Sequence, residues 1–177
     1  MQPESVLRSF IGPPLQDTFT ALGLDEAAVV QAVALYRERF SERGLYENEV
    51  YEGVVQALVA LRAAGHRLAV ATSKPTPFAE RIVAHFELRQ YLDLVAGATL
   101  DGARRHKADV IGFALAELAV PASEAVMVGD RAQDIDGARA HGMRSVGVRW
   151  GYAEVGELET AGASAIVASP GDLVNVL

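Results

Sequence analysis

The chain has 177 residues, half of them apolar, four histidines, no cysteine and a formal net charge of −7. This length and apolar fraction allow one packed domain with or without a small lobe, and argue against disorder. The acidic balance argues against nucleic acid as a partner, because such binding draws its affinity from Lys and Arg on phosphates, and the absence of cysteine excludes disulfides, thiolate metal sites and a cysteine nucleophile.

The first fifty residues read as a helical lobe. "PESVLRSF" runs to Gly12, and Pro13 and Pro14 stand where a new helix can start. Asp25 is the expected N-cap of a longer helix in which Val29, Val33, Tyr36 and Phe40 recur at helical spacing. From about residue 51 helices and strands alternate. "GVVQALVALRAAG" is an amphipathic helix closed by Gly65, "RLAVAT" a strand, "TPFAERIVAHF" a helix, and "LDLVAGATL" contains a strand. "KADVIGFALAEL" is a helix, "EAVMV" a strand, "DIDGARAHG" a helix and "RSVGVRW" a strand; "ASAIVASPGDLVNVL" supplies a last strand and helix. Such alternation implies an α/β fold, with a mostly parallel sheet covered by helices on both faces. No apolar run approaches the ~18 residues of a membrane span. The opening "MQPESVLRSF" has neither the basic start nor the apolar stretch of a secretory signal, so a soluble cytoplasmic protein is expected.

In a sheet of this kind ligands bind beyond the carboxyl ends of the strands, which singles out the polar residues that follow apolar runs. Asp130 follows "AVMVG", and Asp134 stands four residues on, at the spacing of one helix face. Two carboxylates so close invite a Mg²⁺ between them; equally, acids at a helix start cap it and suit its dipole. Asp136, two residues further, points to another side. Thr72 ends "RLAVAT", where its hydroxyl can hold a phosphoryl oxygen or bond the backbone of Lys74. Lys107 starts a helix, where a cation opposes the dipole. A hydroxyl after one strand, a lysine at a helix start and paired acids after a later strand are, in this order, the parts of a phosphoryl-transfer site. Ser73 and Lys74, next to Thr72, and Arg8 near the start are candidate substrate contacts.

The stretches "LAVATSKP", "HKADVI", "VMVGDRAQDIDGA" and "GVRWGYAEVGELETAGASAIVASPGDL" together resemble the haloacid dehalogenase superfamily, in its phosphoglycolate phosphatase-like and 5′-nucleotidase-like branch. The resemblance implies a Rossmann-like core over 51–177 and a partial helical cap over 1–50. It implies Thr72 and Lys107 as catalytic residues, Asp130 and Asp134 as Mg²⁺ ligands, and a small phosphorylated substrate. Members of the superfamily open with a strand running into D-x-D-G-T, whose first Asp attacks phosphorus. Here "DIDGA" at 134–138 only imitates that motif, since it does not follow directly on a strand.

The expectation is therefore a Mg²⁺-dependent phosphatase-type hydrolase of a phosphoglycolate or nucleoside monophosphate class substrate, N-terminally shortened and inactive as it stands. The alternative is a non-catalytic module that binds phosphate and metal or a partner. Loss of a strand between those ending at Thr72 and Asp130 would expose two edges, through which copies could associate.

Overall fold

The computed structural model describes residues 10–177. Arg8 and the helix expected over "PESVLRSF" lie outside them. Helix α1 (Leu15–Ala21) follows the two prolines, and α2 (Glu26–Glu42) starts at Asp25, whose carboxylate accepts the Ala28 N–H at 2.9 Å. Val29 and Val33 bury their side chains, but Tyr36, on the same stripe, is 42% exposed. The apolar face of α2 thus changes partner along its length, from packed core to open cavity.

The alternating part contains α3 (Val54–Ala63), β1 (Ala69–Pro75), α4 (Thr76–His85), β2 (Leu94–Ala98), α5 (Lys107–Leu118) and β3 (Val126–Gly129). It continues with α6 (Ala132–Arg139), β4 (Arg144–Val148), α7 (Glu157–Ala161), β5 (Ala165–Val167) and α8 (Leu173–Val176). Every strand pair is parallel. The sheet nevertheless comes in two pieces, β1–β2 and β3–β4–β5. No strand among the described residues lies between β1 and β3, so each has a free edge.

Helix α5 bridges the two pieces. Its Val110 and Ala114 pack on Ala96 of β2, while Ile111 packs with Met127 of β3 and Ala138 of α6; Ala71 of β1 touches both groups. Val110 and Ile111 are at most 2% exposed, and full burial of such side chains is worth about 1.5–3 kcal/mol each. The lobe is tied down by hydrogen bonds from core arginines and by one from the lobe to the core. Arg81 donates to Ser41 O at 2.8 Å and to the Tyr46 hydroxyl at 3.0 Å, Arg131 donates to Ile11 O, and Arg37 of α2 donates to Leu100 O at 3.0 Å. No described helix is long and apolar enough to cross a membrane.

Candidate active site

The carboxyl ends of β1, β2, β3 and β4 open into one cavity of about 580 Å³, roofed by the segment before α1 and by α2. Thr72, Ser73, Lys74, Lys107, Asp130 and Asp134 all line it, and Asp136 does not. Parallel strands bring their carboxyl ends to one edge, which is how residues more than fifty positions apart meet there.

The floor is built around Asp134, which is only 5% exposed. Its Oδ1 lies 2.8 Å from Lys107 Nζ, and its Oδ2 accepts the N–H groups of Asp130 at 3.0 Å and Arg131 at 3.1 Å. Lys107 also donates to Ala71 O on the free side of β1, at 2.9 Å. One ammonium therefore ties both sheet pieces together, and its carboxylate partner offsets the unfavourable sign of a cation at a helix start. Gly129 is required by this closeness: a Cβ there would stand 2.2 Å from Asp134 Cβ and 2.3 Å from its Oδ2. Because α6 begins only at Ala132, Asp130 belongs to the preceding loop. Helical spacing does not relate the two acids; a hydrogen bond from the Asp130 amide to the Asp134 carboxylate does.

Asp130 accepts the Tyr152 N–H through Oδ2 at 2.8 Å, and Gly151 leaves room for it, since a Cβ there would meet Asp130 at 2.2 Å. Its Oδ1 makes no hydrogen bond among the described residues and is open to a ligand. The Thr72 hydroxyl oxygen accepts the Lys74 N–H at 3.2 Å; its own hydrogen stays available to a phosphoryl oxygen. Lys74 is in no ion pair among the described residues. Its side chain as a whole is exposed, but the protein atoms gathered around its ammonium at the cavity wall, then the charge of Lys107, push its pKa below the ordinary lysine value, against the pull of Asp130.

Five cationic side chains line the cavity, Arg37, Lys74, Arg105, Lys107 and Arg131, against the two acids Asp130 and Asp134, although the chain as a whole is acidic. Arg131 is paired at 2.9 Å with Glu157, which also accepts the Ala132 N–H at 2.7 Å and so caps α6 from a distant element. Burial alone would raise the Glu157 carboxyl, but the Ala132 amide and the Arg131 guanidinium outweigh it and hold its pKa below the usual value. On the other side of the cavity the Nε of Arg37 is shielded from solvent and has no hydrogen-bond partner among the described residues, a condition that costs about 1–3 kcal/mol.

No cluster of three His, Asp or Glu suited to a metal occurs among the described residues. Two carboxylates, one of them with a free oxygen, fit a Mg²⁺ that keeps waters and takes phosphate oxygens, rather than an ion caged wholly by protein. Asp136 is exposed, ion-paired with Arg139 and remote from the cavity. Arg131, Glu157, Gly129 and Gly151 could not be picked out beforehand. The pairing of Arg131 with Glu157 spans 26 positions, and both glycines look ordinary until the acids they accommodate are placed.

Residues 1–148 match the family model described as haloacid dehalogenase-like hydrolase. A curated relative, the "Tyrosine-protein kinase PtkA" of Mycobacterium tuberculosis, is 48% identical over 151 residues, which are 85% of this chain and 52% of that protein. The "5'-nucleotidase" of Pseudomonas aeruginosa is 43% identical over 153 residues, 86% of this chain and 69% of that one. A solved structure, of a "predicted phosphatase from Clostridium acetobutylicum", aligns with a TM-score of 0.95 at 39% identity, over 99% of this chain and 82% of its own. The chain spans about half the length of the mycobacterial relative. With a family model covering most of the sequence and the parallel α/β architecture shared with solved phosphatase structures, the chain belongs to the haloacid dehalogenase-like hydrolases.

Proposed function

We propose that the cavity is the Mg²⁺-dependent phosphate site of a phosphatase-type hydrolase acting on a small phosphorylated metabolite, of the phosphoglycolate or nucleoside monophosphate class. The observation that carries this reading is the meeting of Lys107, Thr72 and Asp130 at one sheet edge. Lys107 and Lys74 face the charge of a phosphoryl group, and the Thr72 hydroxyl donates to one of its oxygens. Asp130, with Asp134 behind it, would hold the Mg²⁺, which when bound neutralises charge on the phosphate. Asp134 works through its neighbours: it positions the Lys107 ammonium and the Asp130 backbone.

The chain by itself binds phosphate and does not turn it over. Covalent catalysis needs an attacking atom in place, and the D-x-D-G at 134–137 does not provide one. Asp134 is engaged by an ammonium and two amides, while Asp136 lies outside the cavity. A second reading, a non-catalytic module that binds phosphate or a partner strand, is favoured by the free edges of β1 and β3 beside the site.

Hydrolysis of p-nitrophenyl phosphate with Mg²⁺ separates these readings, measured on the chain as it stands and on a longer form carrying an upstream strand with D-x-D. Turnover only in the longer form supports the phosphatase. Phosphate binding without turnover in both supports the module, and turnover by the chain as it stands refutes the proposed inactivity.

A further inference from the structure

The cavity extends well beyond what a phosphate group fills. Of the six Phe, five Tyr and one Trp in the chain, seven line it. The rings of Tyr36 and Phe40 on α2 stack with centroids 5.4 Å apart, and Phe78, in the first turn of α4, meets Phe40 edge-on at 5.8 Å. Tyr51, Trp150 and Tyr152 reach the same space from the segments before α3 and after β4. Tyr36, Tyr51 and Tyr152 keep 42–45% of their surface exposed, so this aromatic area is open to a ligand rather than spent on the core.

Lys74 joins the zone to the phosphate floor. Its amide bonds the Thr72 hydroxyl, and its ammonium lies 6.0 Å from the centroid of the Phe40 ring.

We propose that the aromatic wall recognises a nucleobase: Tyr36, Phe40 and Phe78 stack on the base of a nucleoside 5′-monophosphate. This rests on the phosphate-site reading above and narrows its substrate class. Stacking on aromatic side chains suits any base, because every base has a π-face. A two-carbon acid such as phosphoglycolate would leave the rings uncovered.

The test is titration calorimetry of the chain in Mg²⁺ buffer with inorganic phosphate, adenosine and adenosine 5′-monophosphate. The nucleotide is expected to bind at least about tenfold more tightly than phosphate, with adenosine alone measurably bound. Phe40→Leu should weaken the nucleotide about five- to tenfold and leave phosphate within about twofold, its phosphate binding serving as the check that the variant folds. Phosphate binding with no gain for the nucleotide and no adenosine binding overturns the nucleobase site and leaves the phosphate site standing. Adenosine binding without phosphate binding does the reverse. Silence with all three ligands overturns both.

Discussion

The floor and the roof of the cavity are built on opposite principles. On the floor nearly every charge is matched: Lys107 by Asp134 and a carbonyl, Arg131 by Glu157, Asp134 by two amides as well. The roof holds rings with much of their surface exposed. A saturated network costs no reorganisation when a phosphate arrives, so it fixes the chemistry. Exposed rings gain most when a ligand covers them, so they select it. Lys74 stands between the two, a cation with no ion-pair partner among the described residues, set at the edge of the floor.

That contrast breaks most visibly at Lys107. Lys107→Met would leave Asp134 charged, buried and unpaired, at a cost of about 3–5 kcal/mol; at a few degrees per kcal/mol for a chain of this size, thermal unfolding should drop by about 10 °C. Phosphate binding should be lost with it. Unchanged melting would show that the floor is not the stiff element described. Gly129→Ala is next: its Cβ would overlap Asp134, and overpacking of this kind costs about 1–3 kcal/mol, readable as a lower urea midpoint.

Lys74→Met sharpens the comparison by uncoupling stability from binding. With no ion pair among the described residues to lose, its stability should stay within about 0.5 kcal/mol, while phosphate affinity in calorimetry falls about tenfold for the lost charge-assisted contact. The same residue sets a pH signature. Its folded pKa lies below the 10.5 of an ordinary lysine, so the charge needed for phosphate is lost at lower pH than for an exposed lysine. The unfolded chain keeps that proton up to about 10.5 and the folded chain releases it earlier. In the window between the two values the unfolded state binds more protons, and the Lys74 contribution to stability rises with pH across it. A phosphate affinity that holds steady up to the ordinary lysine range would remove Lys74 from the site. The smallest effect is expected at Asp136, an exposed partner of Arg139. Asp136→Asn should shift stability by no more than about 0.5 kcal/mol and leave phosphate binding as it was, whereas a large loss of binding would reopen its role.

The floor was more legible in the sequence than the roof. Thr72, Lys107 and Asp130 each stand just beyond an apolar run or at the start of a helical one, and the parallel alternation then requires them to share an edge. The role of Asp134 was less legible, because spacing places an acid without naming its partner, and Lys107 and the Asp130 amide come to it through the packing of α5 on α6. In α2, Tyr36 and Phe40 continue the stripe begun by Val29 and Val33. Periodicity cannot tell a side chain packed in the core from one facing a cavity, since both lie on the same helix face.

The sequence by itself determined the order of elements, the parallel α/β class and the edge at which polar residues gather, because these follow from local periodicity and from the chirality of strand connections. Only the tertiary structure decided that the sheet divides between β1 and β3, that one lysine spans the division, and that one carboxylate is bound while its neighbour stays open. Those outcomes depend on contacts between residues tens of positions apart, which local periodicity does not encode.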